Sequence, residues 1–300
     1  MSSSYKYKGK YRFIVNTSAG RGRSKSLISY INDYCESKNI KFDIKITEYP
    51  NHASKIAEES VNEGIENVIS VGGDGTSHEI ANALVNTDTV MGILATGSGN
   101  DFPKSINIPL NIQDSMDTIT KNIVREVDVG VYKDRYFING MGFGMDGAVS
   151  HRFSHYRFIR GQLGYIWGAV LEAVLFSGFK AEISLPDWTY RGKVLLAGAS
   201  NGAYHGGKFQ LAPSAVIDDG MLEVYIIKNM NRLTRLYRIP KVLNGSHQHL
   251  NEVYIKKSPL MNIIIEYPVK AHMDGEPIIM NPGYHTINIM SKALKVISRN

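Results

Sequence analysis

Residues 67–79 read NVISVGGDGTSHE, and how this stretch folds decides the rest of the chain. Asn67 to Val71 is a short β-branched run that predicts a buried strand. It stops at Gly72-Gly73-Asp74-Gly75, and a helical pattern begins at Thr76 and continues through Ile80, Ala83 and Leu84. Three glycines in four positions let the backbone turn sharply and come close to a ligand without Cβ interference. Amides freed at the start of the helix, with the helix dipole behind them, favour an anion. Asp74 repels a phosphate, so its carboxylate implies another role, either ordering the loop or reaching a phosphate-bound Mg²⁺. The plainer alternative is a tight strand-to-helix turn with Thr76 as N-cap.

Outward from this stretch, the first part of the chain alternates. Residues 11–16 (YRFIVN) predict a strand that runs into a small, basic loop from Thr17 to Arg23, then a helix over 24–37. A strand at 42–47, a helix at 53–63, the central strand and its helix, and a strand at 90–94 follow. Strand and helix in strict alternation predict a parallel sheet covered on both faces. The strand at 90–94 ends in a second glycine loop, Ala95 to Phe102 (ATGSGNDF). Two such loops after two parallel strands fall on the carboxyl edge of the sheet, where open α/β sheets bind ligands.

Beyond Val127 strand patterns dominate, at 127–132, 136–139, 180–185, 193–200, 221–227, 260–266, 284–290 and 294–298. Helices are expected only near 161–177 and 231–243. Runs of strands after an alternating half predict a separate β-rich domain, antiparallel and sandwich-like. The expected division is an α/β, doubly wound, mostly parallel nucleotide-binding domain over 1–126 and a β-rich domain over 127–290. The terminal strand, about 291–300, is a candidate to join the first domain.

Composition narrows the partners. The 300 residues are 43% hydrophobic, enough for two packed cores, and carry a net charge of +6. A basic balance admits nucleotide, nucleic acid or an acidic membrane face. The single cysteine, Cys35, excludes an intrachain disulfide framework and fits a reducing compartment. Residues 1–9 lack the apolar core of a secretory signal. The apolar stretch 163–179 is shorter than the roughly 20 residues of a span and holds Glu172 at its middle, so it predicts a buried or interfacial helix.

Taken together, the segments resemble the diacylglycerol kinase catalytic family, which includes bacterial lipid kinases and sphingosine kinases. Asn16 with Gly20 fits that family's opening loop, residues 72–76 match its Gly-Gly-Asp-Gly-Thr unchanged, and Glu79 matches the following Glu. Gly97 with residues 98–102 fits its next loop. Phe137, Asn139, Gly142 and Gly144 resemble the elements that open its second domain. Asn201-Gly202, Gly206-Gly207, Ala212-Pro213, Asp219-Gly220-Met221-Leu222 and Asp274-Gly275-Glu276 complete the order over most of the chain. The chain departs from the pattern at Thr17, His78, Ala95, Ser98 and Lys208; Ser98 keeps a hydroxyl, and Lys208 puts a cation where a third Gly is usual.

The resemblance implies an ATP- and Mg²⁺-dependent kinase acting on a lipid hydroxyl, most simply diacylglycerol to phosphatidic acid in phospholipid biosynthesis. It implies nucleotide contacts at Asn16, Gly20, Thr47, Gly72, Gly73, Asp74, Gly75, Thr76, Glu79 and Ser98, and catalytic roles for Asp274, Glu276 and Asp74. Asp274 would be the general base; by residue pattern alone, Asp-Gly between strands is first a hairpin signal. A structural Mg²⁺ would be held by the Asp219 carboxylate with the Val216 and Met221 carbonyls. Arg21 and Arg23 are further candidates for phosphate. Residues 151–160 (HRFSHYRFIR) mix cations with aromatics, and read either as an interface with anionic lipid or as a solvated flank of a core helix. A cytoplasmic enzyme that associates transiently with the inner membrane face is expected, as a monomer or homodimer, without nucleic acid. The rivals are a soluble-metabolite kinase of the NAD kinase type and a non-catalytic nucleotide- or lipid-binding relative.

Overall fold

The computed structural model describes residues 10–155 and 162–299. Its contacts divide the chain into one unit of 1–127 with 292–300 and a second of 128–291.

The first unit is built on β1 (Tyr11–Val15), β2 (Phe42–Ile46), β3 (Asn67–Gly72) and β4 (Val90–Ala95), with helices α1 (Arg23–Ser37), α2 (His52–Asn62), α3 (Asp74–Leu84), α4 (Asp101–Ser105) and α5 (Ile112–Lys121). All four strands are parallel, in the order β2-β1-β3-β4. β1 and β3 are buried at every residue, as strands covered by helices on both faces must be. Because the chain leaves β1 toward β2 on one side and returns to β3 on the other, the sheet reverses direction between β1 and β3, the position where such sheets open a crevice. Arg12 is buried within this unit. Its guanidinium binds both carboxylate oxygens of Asp43 at 2.8 Å and reaches Glu63 at 2.8 Å, and the Asp43 carboxyl is lowered chiefly by that hydrogen-bonded guanidinium.

The second unit carries β5 (Val124–Tyr132, shared with the first), β6 (Arg135–Phe137), β7 (Gly140–Gly144), α6 (Met145–His155), α7 (Gln162–Leu175), β8 (Phe179–Leu185), β9 (Trp188–Ser200), β10 (Leu222–Lys228), α8 (Arg232–Leu243), β11 (Val253–Ser258), β12 (Leu260–Ile265), β13 (Val269–Met273), β14 (Glu276–Met280) and β15 (Gly283–Ile297). The pairing is antiparallel in the order β14-β13-β7-β9-β8-β12-β15, with β10 and β11 branching from β9. Alternate strand residues bury Phe143, Ile183, Ala197, Val224, Met261 and Met273 in one core. The end of β15 lies in the first unit, where Val296 pairs in parallel with Met91 of β4.

Three differences from the sequence reading have local causes. α3 starts at Asp74, two residues early, because Gly73 takes the extended N-cap position (φ −98°, ψ −171°). β7 (GMGFG), which is not among the strands expected from the sequence, is a fully buried strand whose glycines admit side chains packed on it. The two strands expected at 284–298 are one continuous strand, β15. Among the described residues no helix is long and apolar enough to cross a membrane. Glu172, the charge inside the apolar stretch, is buried and paired with Arg152 of α6 at 2.5 Å. The rest of the basic and aromatic segment that begins at His151, residues 156–160, lies outside the described residues.

Candidate active site

In the first unit the loops after β1, β3 and β4 meet at the carboxyl edge of the sheet. Asn16 Nδ2 donates to Thr76 Oγ1 at 3.1 Å, bridging the β1 and β3 ends. The Asp74 carboxylate accepts the N–H of Asn100 at 2.9 Å through Oδ2 and that of Asp101 at 2.9 Å through Oδ1. It is thus the latch between the two glycine loops, the ordering role its charge suggested. At Gly97 a Cβ would lie 2.7 Å from the Gly73 Cα, so the loops pack backbone on backbone and admit no side chain there. Arg23 ties the first loop to the third through Gly20 O and Thr96 O, at 3.2 Å each.

Gly20 lies in the turn after β1, Gly72 ends β3, Gly75 and Thr76 open α3, and Thr47 follows β2 at the same edge, its N–H on the Val15 carbonyl at 3.0 Å. Ser98 is exposed at the tip of the third loop. Glu79 has a different position from a loop contact. Its carboxylate accepts the N–H groups of Asn51 and Ala53 at 3.1 Å, capping the start of α2. The side chain of Arg21 lies outside the described residues.

In the second unit Asp274 and Gly275 close the β13–β14 hairpin as a two-residue turn. Both have positive φ, 49° and 89°, which is the type I′ geometry that Asp-Gly suits. The hairpin signal and the family motif therefore coincide on one residue. The Asp274 carboxylate accepts three backbone N–H groups at 2.9 Å, from Ile138, Asn139 and Gly140, which fixes both of its oxygens. Glu276, across the turn, is exposed. Gly220 donates its N–H to Asp128 Oδ2 at 2.7 Å, which fastens the Asp219-Gly220 turn. Asp219 Oδ1 accepts the Met221 N–H at 3.0 Å, and Oδ2 lies 2.6 Å from Lys257 Nζ.

Beneath the Asp274 turn lies a buried polar cluster that the sequence did not mark. His272 Nδ1 accepts the Gly275 N–H at 3.2 Å, so its proton sits on Nε2, which is 3.0 Å from Asp146 Oδ2. Tyr225 Oη donates to the same Oδ2 at 3.3 Å, and His205 Nε2 is 2.7 Å from Ser200 Oγ. Burial pushes His205 down to about 4, with Asp146 opposing, and raises the Tyr225 phenol, with Asp146 adding to it. Gly142 makes the room, since a Cβ there would fall 2.1 Å from Asp146 Oδ2 and 2.7 Å from His272 Nε2. Beside the cluster an apolar pocket, partly open to solvent, is lined by Met145, Phe209, Ile239 and Val242 and has Asp146 and His205 as its polar corner.

Family models match both units. Residues 10–132 fit the diacylglycerol kinase catalytic domain, and residues 139–298 fit the YegS C-terminal NAD kinase beta sandwich-like domain. The chain belongs to the diacylglycerol kinase family. It is 30% identical over 240 residues to "Probable lipid kinase YegS-like" from Chromohalobacter salexigens, covering 78% of this chain and 77% of that one. It is 25% identical to "Diacylglycerol kinase" from Bacillus subtilis, covering 91% of each. A crystal structure of a diacylglycerol kinase from Bacillus anthracis superposes with a TM-score of 0.76 over 99% of this chain and 98% of that one; at 22% identity this shows the fold.

A kinase of this family implies ATP and a divalent metal. Asp219 with the Val216 and Met221 carbonyls would offer oxygen alone, the donor set of a hard cation, while Asp219 Oδ2 is held by Lys257 at 2.6 Å. Asp146, His205 and His272 also bring ligand atoms within 4.8 Å of one another. A metal on His272 Nε2 would drive the ring proton to Nδ1, against the Gly275 N–H. Those three residues fit a hydrogen-bonded network better than a metal centre.

Proposed function

We propose that this lipid-kinase-family enzyme moves the γ-phosphate of ATP to the hydroxyl of diacylglycerol, giving phosphatidic acid. The observation that carries the lipid acceptor is the apolar pocket with its single polar corner at Asp146 and His205. Each methylene of an acyl chain buried there contributes about 0.8 kcal/mol, whereas NAD, charged and polar, gains nothing from such a lining.

ATP is held at the carboxyl edge of the first unit. The amides at the start of α3, Asp74 to Thr76, cradle phosphate with Gly72 and Gly73; Asn16, Gly20, Thr47 and Ser98 complete the contacts. Glu79 serves by fixing α2 behind this edge. Asp74 keeps the two glycine loops in register, so that the phosphates meet a formed site.

Asp274 accepts the proton of the attacking hydroxyl. Three amides hold its carboxylate in one orientation, and a base that acts on one hydroxyl gains from that immobility. Glu276 orients the base or carries metal. When bound, Mg²⁺ supplies positive charge that neutralises oxygen ligands; Asp219, Val216 and Met221 would hold it. The enzyme works in the cytoplasm and meets its acceptor at the inner membrane face.

Labelled ATP, Mg²⁺ and a total lipid extract are incubated with the protein, beside NAD in a parallel tube. Label is expected in the lipid phase as phosphatidic acid. Label in the NAD tube alone would transfer the chain to the soluble-metabolite class, and label in neither would leave a binding protein.

A further inference from the structure

We infer that the outward face of α8 is a docking surface for an anionic bilayer, an inference that rests on the proposed lipid acceptor for its purpose. The helix has two opposed faces. Arg235, Ile239 and Val242, at spacings of four and three, face inward, the first buried and the others in the pocket wall. Leu233 and Tyr237, at spacing four, face outward with 81% and 72% of their surface exposed. Pro240, one turn further, is exposed too.

This apolar pair stands among cations. The helix sequence RLTRLYRIPKVL holds Arg232, Arg235, Arg238 and Lys241 and no acidic residue. Arg238 is within 3.6 Å of Glu252, while Arg232 is exposed on the same helix as Leu233. An apolar centre with a tyrosine and a cationic rim matches the depth profile of a bilayer surface. Alkyl groups enter below the headgroups, Tyr sits at their level, and Arg and Lys meet their negative charge. A helix that carries only cations and no acidic residue favours an anionic membrane surface as the occupant.

The helix is rigidly mounted for docking. Arg235 donates to the carbonyls of Ala173 and Phe176 at the end of α7, at 3.1 and 2.5 Å, and to Asn229 Oδ1 at 2.8 Å. α7 itself exposes Trp167, Val170 and Leu175. Since Ile239 of α8 and Ala169 of α7 line the pocket, the docking helix also bounds the pocket on its inner side. A lipid could then pass from leaflet to pocket without crossing water.

The test uses the full chain and vesicles without diacylglycerol, one set of phosphatidylcholine and one of phosphatidylcholine with phosphatidylglycerol. The parent protein is expected to co-sediment with the anionic set and to be released by salt. Arg232→Glu with Lys241→Glu should weaken binding at least fivefold for each cation changed. Leu233→Ser with Tyr237→Ser should weaken it roughly tenfold. Both pairs are at the surface, so melting temperature and turnover of a short-chain, water-dispersed diacylglycerol should stay at parent level. Parent protein that ignores anionic vesicles, or variants that bind as the parent does, would overturn the inference. So would variants that alter only the sedimentation coefficient of the free protein, which would assign the face to a second copy of the chain. If binding behaves as expected while no lipid is phosphorylated, the acceptor assignment fails and the docking surface stands.

Discussion

His272 Nε2 lies 3.0 Å from Asp146 Oδ2, and the other nitrogen of the same ring accepts the Gly275 N–H at 3.2 Å. A helix residue, a strand residue and the Asp274 turn are thereby joined in one buried chain of polar contacts. Ser150 of α6 adds a further tie, to the Gly275 carbonyl at 2.5 Å.

His272→Ala should therefore act on catalysis through the position of Asp274. Misplacing a reacting group by about 1 Å costs on the order of a hundredfold in rate. The expected result is a kcat lowered by roughly ten- to a hundredfold with the KM for ATP unchanged, since ATP is assigned to the first unit. His272→Gln, which keeps a side-chain acceptor, should recover part of it. A loss that appears in the KM for ATP instead would show that the network has another purpose.

His205 makes stability depend on pH. Its folded value, about 4, is below the 6.5 of an ordinary imidazole, because burial disfavours the cation. Between those values the unfolded chain binds a proton that the folded chain refuses. Stability from this group is thus fully present above about pH 6.5 and is lost as pH falls toward 4. A tenfold difference in proton affinity between the two states is worth about 1.4 kcal/mol, so the whole window amounts to about 3 kcal/mol. Asp146, His272 and Asp274 are the charged and titratable groups that act on it. Urea unfolding at pH 7 and pH 4.5 should show the loss, and His205→Phe should flatten the slope between the two.

The glycine loops and the alternation of the first unit were legible because their signals are local. A β-branched run ends in glycine, and a helix pattern begins within three residues. The polar cluster was not legible, because Asp146, His205 and His272 are far apart in sequence and meet only when β7, β9 and β13 pair. Nothing in the sequence marks Asp146 itself, and the motif glycine Gly142 gives no sign that it makes room for that carboxylate. Glu79 was legible as a motif residue but not as a cap, since its partners Asn51 and Ala53 lie 28 and 26 positions away. Helices α4, α5 and α6 were missed. α4 is five residues long, and Gly147 lies in the first turn of α6 and weakens its helical pattern.

Asp274 fastens the turn and is the proposed base, and one substitution separates the two. Asn accepts positive φ and keeps the type I′ turn, so Asp274→Asn should leave the hairpin in place. Its amide offers one acceptor oxygen to the three N–H groups, which should lower the melting temperature by a few degrees, as expected for a lost net bond of about 1 kcal/mol. If Asp274 is also the base, turnover should fall by about 10²–10⁴ at a temperature where the variant is fully folded, with ATP binding retained. Turnover that falls only in step with the folded fraction would leave Asp274 a turn residue alone.

Asp219 decides whether the oxygen set is a cation site. In the structure its Oδ2 is 2.6 Å from the Lys257 ammonium, whose side chain is 43% exposed and therefore costs little to displace. A dication brings twice the charge and can also engage the Val216 and Met221 carbonyls, which an ammonium on one oxygen does not. Mg²⁺ at a hundred times its dissociation constant would stabilise the fold by about 2.7 kcal/mol. The melting temperature of the parent should rise with Mg²⁺ and saturate, and Asp219→Ala should melt lower and lose that rise. Lys257→Met removes the competitor, so half-saturation should move to lower Mg²⁺. A melt indifferent to Mg²⁺ in both parent and Lys257→Met would show that the turn is closed by Lys257 and Asp128 alone.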